Sequence, residues 1–284
     1  MHVTELWLYP IKSCRGIALN QAQVLPNGLS NGVWCDREMM IVDGKGKFIT
    51  QRQYPQMAQI IVQLNGEEIT LSLENDEIET ITFKPTSKGQ KSTVEVWRDR
   101  LSAIDQGDKI ATWLQTALSL KNPVRLVRQT PQHPRFVNPR YAPTGQETVS
   151  FADGYPLLLT NTASLDDLNR RLEKNYQNSS QNVPMSRFRP NITIQSDTPF
   201  AESTWKTLEI NATQFTVAKS CSRCIVTTTD QITGQQNSQQ EPLKTLSTFR
   251  QFPQQGILFG ENLIPLNNGL IQVGDRVSIP QTLQ

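Results

Sequence analysis

The chain has 284 residues, 19% of them charged, and a net charge of +2. That length allows one large or two ordinary domains with a well-buried core, and so weak a field excludes nucleic acid or an anionic membrane as the partner its surface is built for. Four cysteines are too sparse for a disulfide scaffold, which predicts reduced thiols at Cys14, Cys35, Cys221 and Cys224. The two histidines, His2 and His133, offer no material for Ser-His-Asp or His-rich zinc chemistry.

The first residues run straight into an alternating strand, Val3 to Tyr9, stopped by Pro10 and followed by the turn-prone "IKSCRG". No basic leader precedes a long apolar run, and no apolar stretch reaches about 18 residues, so the chain reads as soluble, unexported and cytoplasmic, with no membrane contact. "REMMIVDGKGKFITQR" predicts a hairpin turning at Asp43, Gly44 and Gly46. Strands follow at "IIVQL", "ITLSL", "IETITF" and "TVEVW", joined by "NGEE" and "ENDE" as a β-meander. Gly107 and Asp108 open a helix whose Ile110, Trp113, Leu114, Ala117 and Leu118 form a buried stripe that ends before Pro123.

After the short strand "VRLVR", four prolines within "QTPQHPRFVNPRYAPTG" predict a long ordered loop of the kind that covers sites. "YPLLLT" reads as a buried strand, and Ser164 with Asp167 as a capping-box start to a helix carrying Leu165, Leu168 and Leu172, ended by "NYQNSSQNVP". "NITI", "KTLEI", "TQFTVAKS" and "CIVTTTD" read as strands, "QITGQQNSQQE" as a mobile polar hairpin tip, "LKTLSTF" as a short helix, and "GLIQVGDRVSI" as strand, turn, strand. About a dozen strands with three helices make a β-rich α+β fold of barrel type.

The chemistry centres on "SCSRC". Cys221 and Cys224 are compatible with buried structural thiols. A zinc site would need Cys14 and Cys35 as well, and these do not form a second C-x-x-C. A redox dithiol would need a helix after the second cysteine, where a strand is expected. A fourth reading is one thiolate on a metal that changes oxidation state, with Arg223 favouring the ionised sulfur. One sulfur cannot hold a metal alone, so the metal would arrive in an organic ligand anchored through its phosphate and ring. Lys12, Ser13, Arg37, Arg189 and Arg223 are candidate anchors, although any single arginine is by default a solvated charge. Asp153, beside Gly154, reads equally well as a turn residue.

Nine segments in one order, "LWLYPIKSCRG", "DREMMIVD", "FADGYPLLLT", "SLDDLNRRLE", "FRPNITI", "CSRCIVTTTDQITG", "EPLKTLSTFR", "FGENLIPL" and "GLIQVGDRV", resemble the MOSC family (molybdenum cofactor sulfurase C-terminal domain), in particular the mitochondrial amidoxime reducing component and its bacterial relatives. The resemblance runs from about Leu6 to Val277. It implies a MOSC-type β-barrel core of residues 1–37 and 130–284, with a smaller meander-and-helix domain, 38–129, inserted.

The resemblance also implies a molybdenum–molybdopterin cofactor with Cys224 as the molybdenum ligand and catalytic residue, Cys221 not being the ligand. Lys12, Ser13, Arg37, Asp153, Arg189, Ser222 and Arg223 fall on positions that hold the pterin and its phosphate. Asn262 falls on a further cofactor-side position where the mitochondrial proteins have a different residue. The implied reaction is two-electron reduction of a small N-hydroxylated substrate, its oxygen passing to molybdenum, with nucleobase analogues among the conceivable substrates. Some bacterial relatives carry a fused ferredoxin module. Here no cysteine follows Cys224, so electrons are expected from a separate protein of ferredoxin, flavodoxin, flavoprotein or cytochrome type. A persulfide-bearing sulfur-transfer protein and a molybdenum-cofactor carrier are the alternatives.

Overall fold

The computed structural model describes all residues except 75–77, 131–133, 179 and 281–284, so His133 and parts of the "ENDE", "QTPQHP" and "NYQNSSQ" connectors lie outside the described residues. Among the described residues the largest unit is a nine-stranded sheet. Its order is Ile17–Leu19, His2–Leu8, Ile192–Gln195, Leu157–Asn161, Gly256–Pro265, Thr213–Ser222, Thr207–Ile210 and Val277–Ser278, with Gln251–Phe252 attached to Gly256–Pro265. The β-rich α+β fold is as expected. Leu157–Asn161 is buried along its whole length, as its apolar run requires of a strand covered on both faces. It runs parallel to Ile192–Gln195 while its neighbours pair antiparallel. The crossover that a parallel pair needs contains helix Thr162–Tyr176.

Around this sheet lie four smaller ones. Met39–Asp43, Val124–Gln129, Asp99–Asp105 and Lys91–Val96 form one; Ile60–Asn65, Glu68–Leu73 and Ile81–Phe83 form a meander of three strands, the fourth expected member "TVEVW" pairing instead with Asp99–Asp105 in the first; Gly269–Gln272, Gln21–Leu25 and Gly28–Ser30 form a third; and Arg135–Phe136 with Thr148–Val149 is a short ribbon. Helix Asp108–Ala117 buries Ile110, Ala111 and Leu114. No described helix is long and apolar enough to cross a membrane.

Several local expectations are corrected. "CIVTTTD" is a 3-10 helix, Ile225–Thr228, because Thr227 donates its N–H and hydroxyl to the Cys224 carbonyl (3.0 and 2.9 Å) and the Thr228 hydroxyl donates to the Ile225 carbonyl. Local side-chain bonding overrides the β preference of the threonine run. The cap of helix Thr162–Tyr176 is Asn161, whose side chain accepts from the Ala163 N–H at 3.1 Å, while Ser164 sits inside the helix bonded to buried Glu202. The segment predicted as a mobile tip is docked: Gln59 donates to the Thr233 carbonyl, Arg15 to that of Ile232, and a Cβ on Gly234 would lie 3.1 Å from the Gln56 Cα. The hairpin turn at Asp43 forms, its carboxylate accepting from Lys45 and Lys47 N–H groups. The returning arm makes only single bridges, to Val42 and to Glu95. The two carboxyl-terminal strands form as expected but pair with Gln21–Leu25 and Thr207–Ile210, not with each other.

Candidate functional site

One open cavity gathers every sequence-predicted site residue: Lys12, Ser13, Arg37, Asp153, Arg189, Ser222, Arg223, Cys224 and Asn262 all line it, together with Cys221. They come from widely separated elements. Lys12 and Ser13 follow strand His2–Leu8, where the Lys12 N–H donates to the Met39 carbonyl at 2.8 Å. Arg189 closes the 3-10 turn Met185–Phe188. Ser222 ends strand Thr213–Ser222, Cys224 caps the next 3-10 turn, and Asn262 lies on the adjacent strand with its amide donating to the Lys219 carbonyl. Ser13, Arg37 and Arg189 have φ of 68°, 50° and 54°. Left-handed backbone at non-glycine residues costs on the order of 1–3 kcal/mol each and clusters where function needs it.

The cavity is cationic. Lys12, Arg37, Arg52, Arg189 and Arg223 line it against the single carboxylate of Asp153. Arg37 pairs with fully buried Asp36 and also donates to Asn191 Oδ1 at 3.2 Å and to the Arg189 carbonyl at 3.3 Å. Arg189 is 9% exposed and donates to Gln231 Oε1 at 2.9 Å and the Cys14 carbonyl at 2.8 Å, both neutral. Among the described residues no carboxylate pairs with it. Both guanidinium groups lie over the ring of buried Tyr9, 4.5 and 4.4 Å from its centroid, the contact that fixes a cation against an aromatic face. Burial lowers the pKa of Arg189, yet a guanidinium stays charged in proteins. An uncompensated buried cation at a cavity wall calls for an anion.

Lys12 and Asp153 form an ion pair, and Arg52 reaches the other carboxylate oxygen at 3.7 Å. Burial pushes Lys12 down to about 8, against the opposing pull of Asp153. For Asp153 burial acts upward, but the charges of Lys12, Arg52 and Arg37 outweigh it and hold the carboxyl well below the usual range.

The sulfur chemistry is asymmetric. Arg223 donates to Cys221 Sγ at 2.8 Å and to the Phe188 carbonyl at 2.7 Å, while its Nε is buried without a partner. The guanidinium expected to ionise the metal-binding sulfur therefore rests on the other cysteine. Burial still pushes the Cys221 thiol up, Arg223 opposing it. Cys221 belongs to the cavity wall, which packing alone does not describe. Cys14 and Cys35 are pushed up to about 12 and about 11, first by burial, and among the described residues no cluster of three or more His, Cys, Asp or Glu could hold a metal. The donor set, two free thiols of which Cys221 is bonded to Arg223 and Cys224 is not, amid surplus cations, fits a group that brings most of its own metal ligands and carries a phosphate.

Four contributors were not picked out from the sequence: Tyr9, Thr50, Arg52 and Asn191. Asn191 bridges Arg37, the Leu158 N–H and the Trp7 carbonyl, and its only signal is its place beside Arg189 in "FRPN". Nothing in residue spacing foretells that Tyr9 stacks under two arginines 152 residues apart (189 − 37).

Residues 1–121 match the family described as MOSC N-terminal beta barrel domain, and residues 146–278 match the MOSC domain. The human protein named Mitochondrial amidoxime-reducing component 1 is 32% identical over 286 residues, covering 97% of this chain and 82% of that protein. The rat protein named Mitochondrial amidoxime reducing component 2 is 31% identical, also over 97% of this chain and 82% of its own length. Among solved structures, YiiM from Geobacillus stearothermophilus aligns with a TM-score of 0.31 at 14% identity, covering 68% of this chain and 71% of that one. By the two matched segments and by identity along nearly its whole length, the chain belongs to the MOSC-domain family of the amidoxime-reducing components.

Proposed function

We propose that this protein is a molybdenum-cofactor-dependent reductase that cleaves the N–O bond of small N-hydroxylated compounds, taking its electrons from a separate redox protein. The observation that carries the reading is the convergence of nine sequence-separated positions on one cationic cavity beside a free thiol. The names of the relatives, amidoxime-reducing components, support the substrate class.

When bound, the cofactor supplies the two-electron redox chemistry that no side chain here offers. Cys224 is the residue to ligate the metal, its backbone fixed by the turn that its carbonyl anchors. Arg189 and Arg37, held on the Tyr9 ring, bind the phosphate, a planar fork being suited to two oxygens at once. Ser222 and Asn262 add neutral hydrogen-bonding groups, and Arg223 adds a charge with one N–H still free. Reduction of R–NH–OH to R–NH₂ and water consumes two electrons and two protons. Lys12 Nζ, at about 8, carries a proton at neutral pH that it can give up within the cavity. Asp153 holds that ammonium in place.

On the division expected from the resemblance, all nine predicted residues come from 1–37 and 130–284, and among the described residues Thr50 and Arg52 alone reach the cavity from 38–129. The inserted segment thus closes one side of the site. The test is metal and pterin analysis of the purified protein, followed by assay of benzamidoxime reduction with methyl viologen radical as reductant. Equimolar molybdenum with reductant-dependent formation of benzamidine is the expected result. A persulfide on Cys224 without molybdenum would replace the reading with sulfur transfer, and a loaded but inert protein would replace it with a carrier.

A further inference from the structure

The hairpin Lys91–Val96 to Asp99–Asp105 turns through two residues, Trp97 and Arg98, because Val96 pairs with Asp99. Trp97 has a φ of 56°. Two-residue hairpin turns give such a conformation to glycine or asparagine, and a bulky side chain there is strained. It is also 43% exposed. The turn geometry disfavours a tryptophan here, and its ring is held by contacts with Phe48 and Arg52.

Its surroundings connect it to the cavity. The guanidinium of Arg52, a cavity wall residue, lies 4.7 Å from the Trp97 ring centroid, and the Phe48 ring is 5.1 Å away on the side of Lys12. Arg135 ties the tip to the cavity edge, bonding Asp99 at 2.9 Å and the carbonyl of cavity-lining Ala152 at 2.7 Å. Its neighbour Phe136 is 54% exposed. Arg98, Arg100 and Arg140 are exposed, and among the described residues none pairs with a carboxylate. Of the nearby acids, Asp99 is taken by Arg135 and Asp153 by Lys12, while Glu95 stands across the strand pair from Arg100 and leaves Arg98 as the uncompensated charge at the tip. An exposed tryptophan next to the unpaired Arg98, on a hairpin in contact with a cavity wall arginine, has the composition of a protein interface, and positive charge beside a redox cavity steers a partner of the opposite sign.

We propose that this face, centred on Trp97 and Arg98 at the cavity mouth, docks an acidic electron-carrier protein. The proposal rests on the reductase reading. Each turnover takes two electrons: R–NH–OH + 2 e⁻ + 2 H⁺ gives R–NH₂ + H₂O, the N–O bond breaking and two molecules of fully reduced flavodoxin each losing one electron. The protons come from solvent through the cavity.

The probe is an acidic flavodoxin, with basic cytochrome c as the opposite-charge control. Direct binding is measured on the purified full chain, and turnover of benzamidoxime is measured with reduced flavodoxin and, separately, with methyl viologen radical. Flavodoxin binding that weakens with salt, and no binding of cytochrome c, is expected. Arg98→Glu/Arg100→Gln is expected to weaken binding and raise the KM for flavodoxin about tenfold or more, leaving viologen-driven turnover unchanged and the chain cooperatively folded. Trp97→Gly, which relieves the backbone strain of the turn but removes the ring contacts with Phe48 and Arg52, is expected to raise the KM for flavodoxin in a chain that still unfolds cooperatively. Unaltered flavodoxin binding in both variants, preference for cytochrome c, or a changed KM for benzamidoxime in place of flavodoxin would overturn the docking surface. Loss of viologen-driven turnover in the unaltered protein would instead overturn the reductase reading, with the binding arms still deciding the surface.

Discussion

Two cysteines three positions apart on one cavity wall differ in what holds them. Cys221 carries the arginine and Cys224 does not. Cys224→Ala is accordingly expected to lower amidoxime reduction by about two orders of magnitude or more, as loss of a metal ligand does, and Cys221→Ala to leave turnover within a few-fold. Equal losses in both assays would refute a single-ligand site. Tyr9 makes a second residue-level prediction. Its hydroxyl has no bonding role among the described residues, so Tyr9→Phe keeps the ring under Arg37 and Arg189 and is expected to retain full molybdenum content. Tyr9→Leu removes the ring and frees both guanidiniums, and molybdenum content after dialysis is expected to fall severalfold. Lys12, Arg37, Arg189 and Arg223 could be named as phosphate anchors by residue type, whereas Cys224 as the ligand and Asp153, Ser222 and Asn262 as site residues rested on the resemblance to the family. Tyr9, Arg52 and Asn191 were not legible, because they act by contacts between distant segments that no local spacing encodes.

At the scale of elements, the strand Gly256–Pro265 carries function on one residue and strain on the next. Asn262 lines the cavity, while Glu261 is 1% exposed, with Ser220 donating to it at 3.0 Å. Burial pushes the Glu261 carboxyl up to about 7, against hydrogen bonds from Ser203 and Ser220. The folded chain thus holds a proton that the unfolded chain releases near 4.5. Stability from this group is complete below that value and falls as pH rises through about 7. Glu261→Gln is expected to flatten the decline in unfolding free energy between pH 5 and 8, on the order of 2–3 kcal/mol at its limit, as read by urea titration at a series of pH values. Strands with clear alternation or continuous apolar runs were legible, as were all three helices. Two of the misread elements share one cause: in "IVTTTD" and at Asn161, side chains bond the nearby backbone and decide the local structure. "QITGQQNSQQE" is ordered by partners at residues 15, 56 and 59, which its own composition could not announce.

Across the whole molecule, sequence-distant strands make the sheet. His2 pairs with Gln195, a separation of 193 residues (195 − 2), and the cavity draws on positions from 12 to 262. A fragment beginning at residue 146 retains the matched MOSC segment yet loses the strand beside Ile192–Gln195 and the cavity-lining Lys12, Ser13, Arg37, Thr50 and Arg52. It is expected to show no cooperative thermal transition and to hold no molybdenum, checked by circular dichroism and metal analysis. The β-rich class could be read from strand count, whereas the order of the strands could not, since pairing partners so far apart leave no periodic trace. This long-range closure also sets a sequence of events during synthesis. The edge of His2–Leu8 stays open until Ile192–Gln195 has been made, the kind of delayed pairing that slows folding and exposes strands. Lys12 and Ser13 likewise wait for Cys224 and Asn262. Cofactor uptake therefore belongs to the end of maturation, and the molybdenum content of a preparation sets a floor on its share of fully folded chains.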